Sequence, residues 1–207
     1  MAIATKNSAI ENLKVGTTNN SYLRDLFLIL LGSFLLAISA QYKVPFFPVP
    51  ATLQSLVVMM IGSLYGWRLG AATIFAYWIE GILVGGLFSF IPWFANGSGL
   101  GYFLMSPTAG FLWGFLPMVL IIGYCSEVLY WRNNPFMIFL GLILGQVALY
   151  GFGLAQAYIW ILPSVTWMNS PKELLILYLY PFLYGDIIKS IIASIITFGF
   201  YKKFIRV

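Results

Sequence analysis

Asp186 and Lys189 stand near the middle of residues 174–200, a stretch otherwise almost wholly apolar. At the centre of a bilayer each such side chain costs about 2.5–3.5 kcal/mol on insertion scales, so an intramembrane Asp and Lys mark a functional site. Residues three apart on a helix share a face, with Cβ atoms about 5–6 Å apart, and can point into one cavity. A proton relay, a structural ion pair and a ligand site all fit the pair at this level. Glu80 is a second carboxylate in an apolar run; it must face the interior or be protonated, and structural hydrogen bonding and ligand contact fit it equally.

The chain that must position these groups has 207 residues, 61% of them hydrophobic and only 8% charged. An ordinary soluble domain is about 45–50% apolar and about 25% charged, so this is an integral membrane protein. Its apolar residues come in long continuous blocks, which indicates helices and not the alternating ten-residue segments of an outer-membrane barrel. With no histidine and one cysteine, Cys125, an intramolecular disulfide is impossible and an N/S zinc site is excluded. The basic residues are scattered singly at the ends of apolar blocks, a topology signal and not a nucleic-acid patch.

Residues 1–21 are polar and read as a cytoplasmic tail, followed by one six-helix domain over 22–207. The spans are expected near 23–40, 53–65, 71–86, 110–130, 136–162 and 174–200. A tight turn over 66–70 joins the second and third, Gln54 opens the second near a loop, and Pro181 bends the last by freeing the Leu177 carbonyl. Loop 41–52 carries three prolines, and 87–109 is a long, glycine-rich interruption. Six crossings put both termini on one side. Eight basic residues fall at that side (Lys6, Lys14, Arg24, Arg68, Arg132, Lys202, Lys203, Arg206), two at the other (Lys43, Lys172), and Lys189 is the eleventh. Both termini should therefore be cytoplasmic and the long loops 41–52, 87–109 and 163–171 external, an arrangement suited to capturing a solute from outside.

Several chemistries are missing. Residues 185–190, GDIIKS, lack the first glycine and the glycine before lysine of a phosphate-binding loop, and lie in an apolar helix. Nothing here uses ATP, and no Gly-x-Ser-x-Gly elbow, His-based triad or paired-carboxylate site is present, so the chain is not read as an enzyme and calls for no cofactor.

Five motifs in order now carry a resemblance: FPVPATLQ (47–54), YWIEG (77–81), IPWFANGSG (91–99), SPTAGF (106–111) and PFLYGDIIK (181–189). Together they resemble the BioY family, the biotin-specific substrate-binding (S) components of energy-coupling-factor transporters. The resemblance implies a six-helix fold in a bacterial cytoplasmic membrane, outer loops closing over a vitamin pocket, and biotin contacts from Asp186 and Lys189. It places the polar position of the family's glycine-rich loop on Ser98, with Asn96 beside it, and the docking face of the first helix on Ser33 and Ala37. It further implies a transmembrane coupling protein and two cytoplasmic ATPases as partners.

Biotin's chemistry agrees. Its ureido ring suits a carboxylate plus a small donor, its valerate carboxylate suits Lys189, and its apolar bicycle suits the loop aromatics Phe47, Trp93 and Tyr102, with bilayer-interface anchoring an equal alternative for Trp93. A stand-alone secondary transporter of biotin or another small carboxylate vitamin is the rival; it would more often show paired repeats with broken helices, and none is evident. A membrane enzyme would need a base or nucleophile.

Overall fold

The computed structural model describes residues 21–87, 92–166 and 170–204. All of the expected tail but Ser21 lies outside them. The apolar blocks fold as α1 (Ser21–Gln41), α2 (Gln54–Leu87), α4 (Ala109–Glu127), α5 (Pro135–Gln156) and α7 (Tyr180–Phe204), with short α3 (Gly99–Met105) and α6 (Pro171–Tyr178) at their margins. Among the described residues, five helices, two of them with their neighbouring short elements, are long and apolar enough to cross a membrane.

The crossings nevertheless number six, because α2 is two segments. At Gly66 the backbone takes φ 78° and ψ −179°, a region essentially restricted to glycine. The chain doubles back there: the Gln54 side-chain amide donates to the Tyr77 hydroxyl at 2.7 Å, and Ile61 packs beside Gly70. Residues 54–65 and 67–87 therefore run antiparallel, as the GWRLG sequence predicts. The turn is clamped from α4, where a Cβ on Gly123 would stand 2.4 Å from the Trp67 nitrogen.

Local sequence sets the other boundaries. The Asn134 side chain accepts from the Phe136 amide at 2.9 Å, with Pro135 in the first turn of α5; Ser170 and Pro171 start α6 in the same way. The last span breaks at Leu179, between α6 and α7, two residues before Pro181 and two after Leu177, whose carbonyl the proline deprives of a donor. The 87–109 interruption differs from expectation by containing α3, which begins at Gly99 with φ 89°.

One end of the bundle is capped. Strands β1 (Lys43–Val44) and β2 (Ala51–Thr52) pair antiparallel, Lys43 opposite Thr52. Beside this hairpin lies the 92–97 turn, closed by the Phe94 amide donating to the Gly97 carbonyl at 2.8 Å. At the opposite end the Ser63 carbonyl accepts from Ser126 (2.8 Å) and Tyr201 (2.9 Å), and buried Arg132 stacks over Tyr130 and Tyr201. Tyr201 thereby ties the end of α7 to α2 and α4.

The small-residue face of α1 turns into the bundle. Ser33 is 0% exposed and Ala37 6%, both turned into the bundle, where the Ser33 hydroxyl donates to Glu80 at 2.8 Å. Small residues allow close helix approach, and here that approach is intramolecular, against α2. The outward face of α1 carries Leu23, Phe27, Leu30, Phe34 and Ile38 instead.

Candidate functional site

α7 brings Asp186 and Lys189 to one face, as i,i+3 spacing requires, with Lys189 Nζ 2.9 Å from Asp186 Oδ1. Asp186 is only 6% exposed, so each carboxylate oxygen must be matched. Oδ1 also accepts from the Ser55 hydroxyl at 3.1 Å, and Oδ2 accepts a short hydrogen bond from the Tyr150 hydroxyl. The ammonium directs its remaining hydrogens to the Thr52 carbonyl (2.8 Å) and Ser55 Oγ (3.0 Å). Gln146 and Ser190 fix the backbone behind, both donating to the Asp186 carbonyl. Charge-assisted bonds of this kind, closed off from water, are about twice as strong as neutral ones.

This cluster forms the polar wall of a cavity of about 580 Å³, its open mouth included. The β1–β2 hairpin roofs it with Val49, Pro50 and Ala51, the 92–97 turn contributes Ala95, and Phe111, Leu112, Phe115 and Phe182 form an apolar flank. Phe111 meets Tyr150 edge-on at 6.2 Å, joining the aromatic flank to the carboxylate's partner. A few convergent polar groups in a mostly apolar pocket is the usual plan of a small-molecule site.

Of the ligand contacts read from sequence, Asp186, Lys189 and Gln54 line this cavity. The others are placed around it. Asn96 is exposed and accepts from Lys43 at 2.5 Å; Ser98 stands at the N-cap position of α3; Phe47 is 71% exposed on the hairpin. Tyr102 stacks on Phe94 and its hydroxyl meets that of Thr108 at 3.0 Å, so Thr108, not Tyr102, reaches the cavity. Trp93, within the 92–97 turn, and Glu80, on α2, do not line the cavity.

Sequence reasoning misses Ser55, Thr52 and Tyr150. Ser55 follows Gln54 directly, and Tyr150 sits one helical turn from Gln146 on α5, so a search for polar residues in register with Gln54 and Gln146 finds both. Hydrogen bonds to charged groups contribute about 1.5–3 kcal/mol, so Tyr150→Phe is expected to weaken ligand binding on the order of tenfold or more. Equilibrium titration of the variant against the parent protein checks this.

The sequence profile of the BioY family matches residues 9–206. The chain is 31% identical to the biotin transporter BioY of Rhizobium etli over 182 residues, covering 84% of this chain and 90% of that one. It is 32% identical to the biotin transporter BioY of Rhodobacter capsulatus over 179 residues, covering 81% and 89%. Its fold is similar to the crystal structure of the S-component for biotin from an ECF-type ABC transporter, with a TM-score of 0.71 at 22% identity over 91% of this chain and 96% of that one. With the profile spanning nearly its whole length, and a multi-pass helical fold to match, the chain belongs to the BioY family.

Proposed function

We propose that the protein is the biotin-capturing S component of an energy-coupling-factor uptake transporter, with a transmembrane coupling protein and two cytoplasmic ATPases as partners. The observation that carries this reading is the Asp186–Lys189–Ser55–Tyr150 cluster against an aromatic, apolar cavity under the capped end. Relatives along most of the chain are named biotin transporters.

The ureido ring belongs at the cluster. Asp186 and Lys189 together are neutral and offer an acceptor beside donors, which suits a neutral group with N–H donors next to a carbonyl. A ligand carboxylate at Lys189 would stand beside the Asp186 carboxylate, where like charges repel strongly at low dielectric. The valerate tail then runs along Phe111 and Phe115 toward the mouth.

The capped end faces outward in this reading: Arg24, Arg68, Arg132, Lys202 and Lys203 gather at the opposite end, and the positive-inside rule makes that end cytoplasmic. The membrane is the bacterial cytoplasmic membrane. Nothing in the sequence resembles a nucleotide loop, which leaves energy coupling to partners. Cells that neither make nor import biotin should take up labelled biotin when this chain is expressed with a coupling protein and both ATPases, and should not concentrate it with this chain alone. Accumulation against a gradient by the chain alone contradicts the partner assignment.

A further inference from the structure

Lys43 is a cation without a counter-charge at the capped end. It is exposed on β1, and its ammonium donates to the Ala95 carbonyl and, at 2.5 Å, to Asn96 Oδ1. Both acceptors are neutral. An ammonium carries three hydrogens and a full charge, so these bonds leave one hydrogen unused and the charge uncompensated. Among the described residues no carboxylate pairs with it.

Its contacts put it at the rim of the cavity. Ala95, whose carbonyl it holds, lines the cavity, and so does Thr52, its directly opposite partner in the hairpin. Opposite residues of an antiparallel pair project from the same face, so the Lys43 side chain leaves the hairpin on the side of Thr52. The Thr52 carbonyl accepts from Lys189 at 2.8 Å. Two ammonium groups thus meet one strand pair: Lys189, neutralised by Asp186 at 2.9 Å, and Lys43, which is not neutralised. The apolar flank reaches the Lys43 end, because Leu112 and Phe115 of the cavity wall belong to one packed cluster with Phe94, the residue before Ala95. Lys172, the other described cation at this end, stands in the first turn of α6 next to Glu173 and makes no such contact with a lining residue.

We propose that Lys43 sets the specificity of this site for an anionic tail: its ammonium receives the ligand's carboxylate at the rim, while the Asp186–Lys189 cluster holds the ureido ring. This rests on the cavity being the biotin site, with the ring at the cluster. A neutral cluster and a charged rim sort the two ends of the ligand, since a carboxylate gains beside an uncompensated cation and loses beside Asp186. A lysine that only braced the 92–97 turn would serve charged and neutral ligands alike.

The test is Lys43→Met, which keeps an unbranched stem and removes the charge, titrated with biotin and with biotinamide, its neutral primary amide of nearly the same shape. The purified parent is expected to bind biotin about tenfold more tightly than biotinamide, the scale of one hydrogen bond to a charged group. In Lys43→Met the affinity for biotin should fall to that for biotinamide, while biotinamide stays within about twofold of its parental affinity. Lys43→Arg, which keeps the charge, should keep most of the preference. Added salt should slow association of biotin with the parent more than with Lys43→Met, because the variant has lost the steering charge. A parent that binds both ligands equally, a preference for biotin that survives in Lys43→Met, or equal weakening of both ligands in that variant overturns the assignment. Failure of the parent to bind either ligand overturns instead the reading on which it rests.

Discussion

Asp186→Asn is expected to lower biotin affinity on the order of 100-fold or more, the scale of removing one partner from a buried, hydrogen-bonded charge pair. Asp186 is the acceptor for Lys189, Ser55 and Tyr150 together, so its loss disorders three donors and leaves the ammonium unneutralised in the membrane. Reduced yield would confuse this result with misfolding, and Asp186→Asn/Lys189→Met resolves it. Deleting both charges of a buried pair is often neutral for stability, whereas breaking the pair is costly. The double variant should therefore regain normal assembly in the membrane and still fail to hold biotin, as seen by size-exclusion chromatography followed by ligand titration. Biotin binding at parental strength in that variant would show the pair to be structural.

Gly123→Ala is the second large effect, on stability and not on the ligand. Its Cβ would meet Trp67 N at 2.4 Å, Trp67 Cα at 2.5 Å and Gly66 C at 2.6 Å, all backbone atoms that cannot swing aside. Overpacking of this kind costs about 1–3 kcal/mol. Here it is compounded because the turn it would push is held at φ 78°, where no other residue sits easily. The variant should unfold at clearly lower temperature in detergent. Gly151→Ala, on α5 with nothing near its Cβ, should match the parent. Equal midpoints for the two variants would mean that the α2 turn does not depend on α4.

Charge in an apolar run makes Asp186 and Lys189 legible in the sequence alone, because few physical circumstances tolerate it. The same logic reaches the turn at Gly66 and the break near Pro181, since glycine and proline constrain the backbone wherever they occur. Ser55 and Tyr150 stay hidden because serine and tyrosine are ordinary in membrane helices, and only the meeting of α2, α5 and α7 gives them a partner. Ser33 and Ala37 show the limit of small-residue patterns: spacing marks a close-packed face without saying which helix packs on it. Trp93, Asn96 and Tyr102 fall in the right loop, yet the direction of a loop side chain depends on what clasps the loop. Lys43 holds Asn96, while Phe94 and Thr108 hold Tyr102.

The central claim is that this cavity holds biotin through the Asp186–Lys189 cluster, and calorimetric titration of biotin into the purified chain tests it most directly. The account predicts saturable binding of one biotin per chain in the parent and none in Asp186→Asn/Lys189→Met. No saturable binding in the parent, or an unchanged isotherm in the variant, would contradict it.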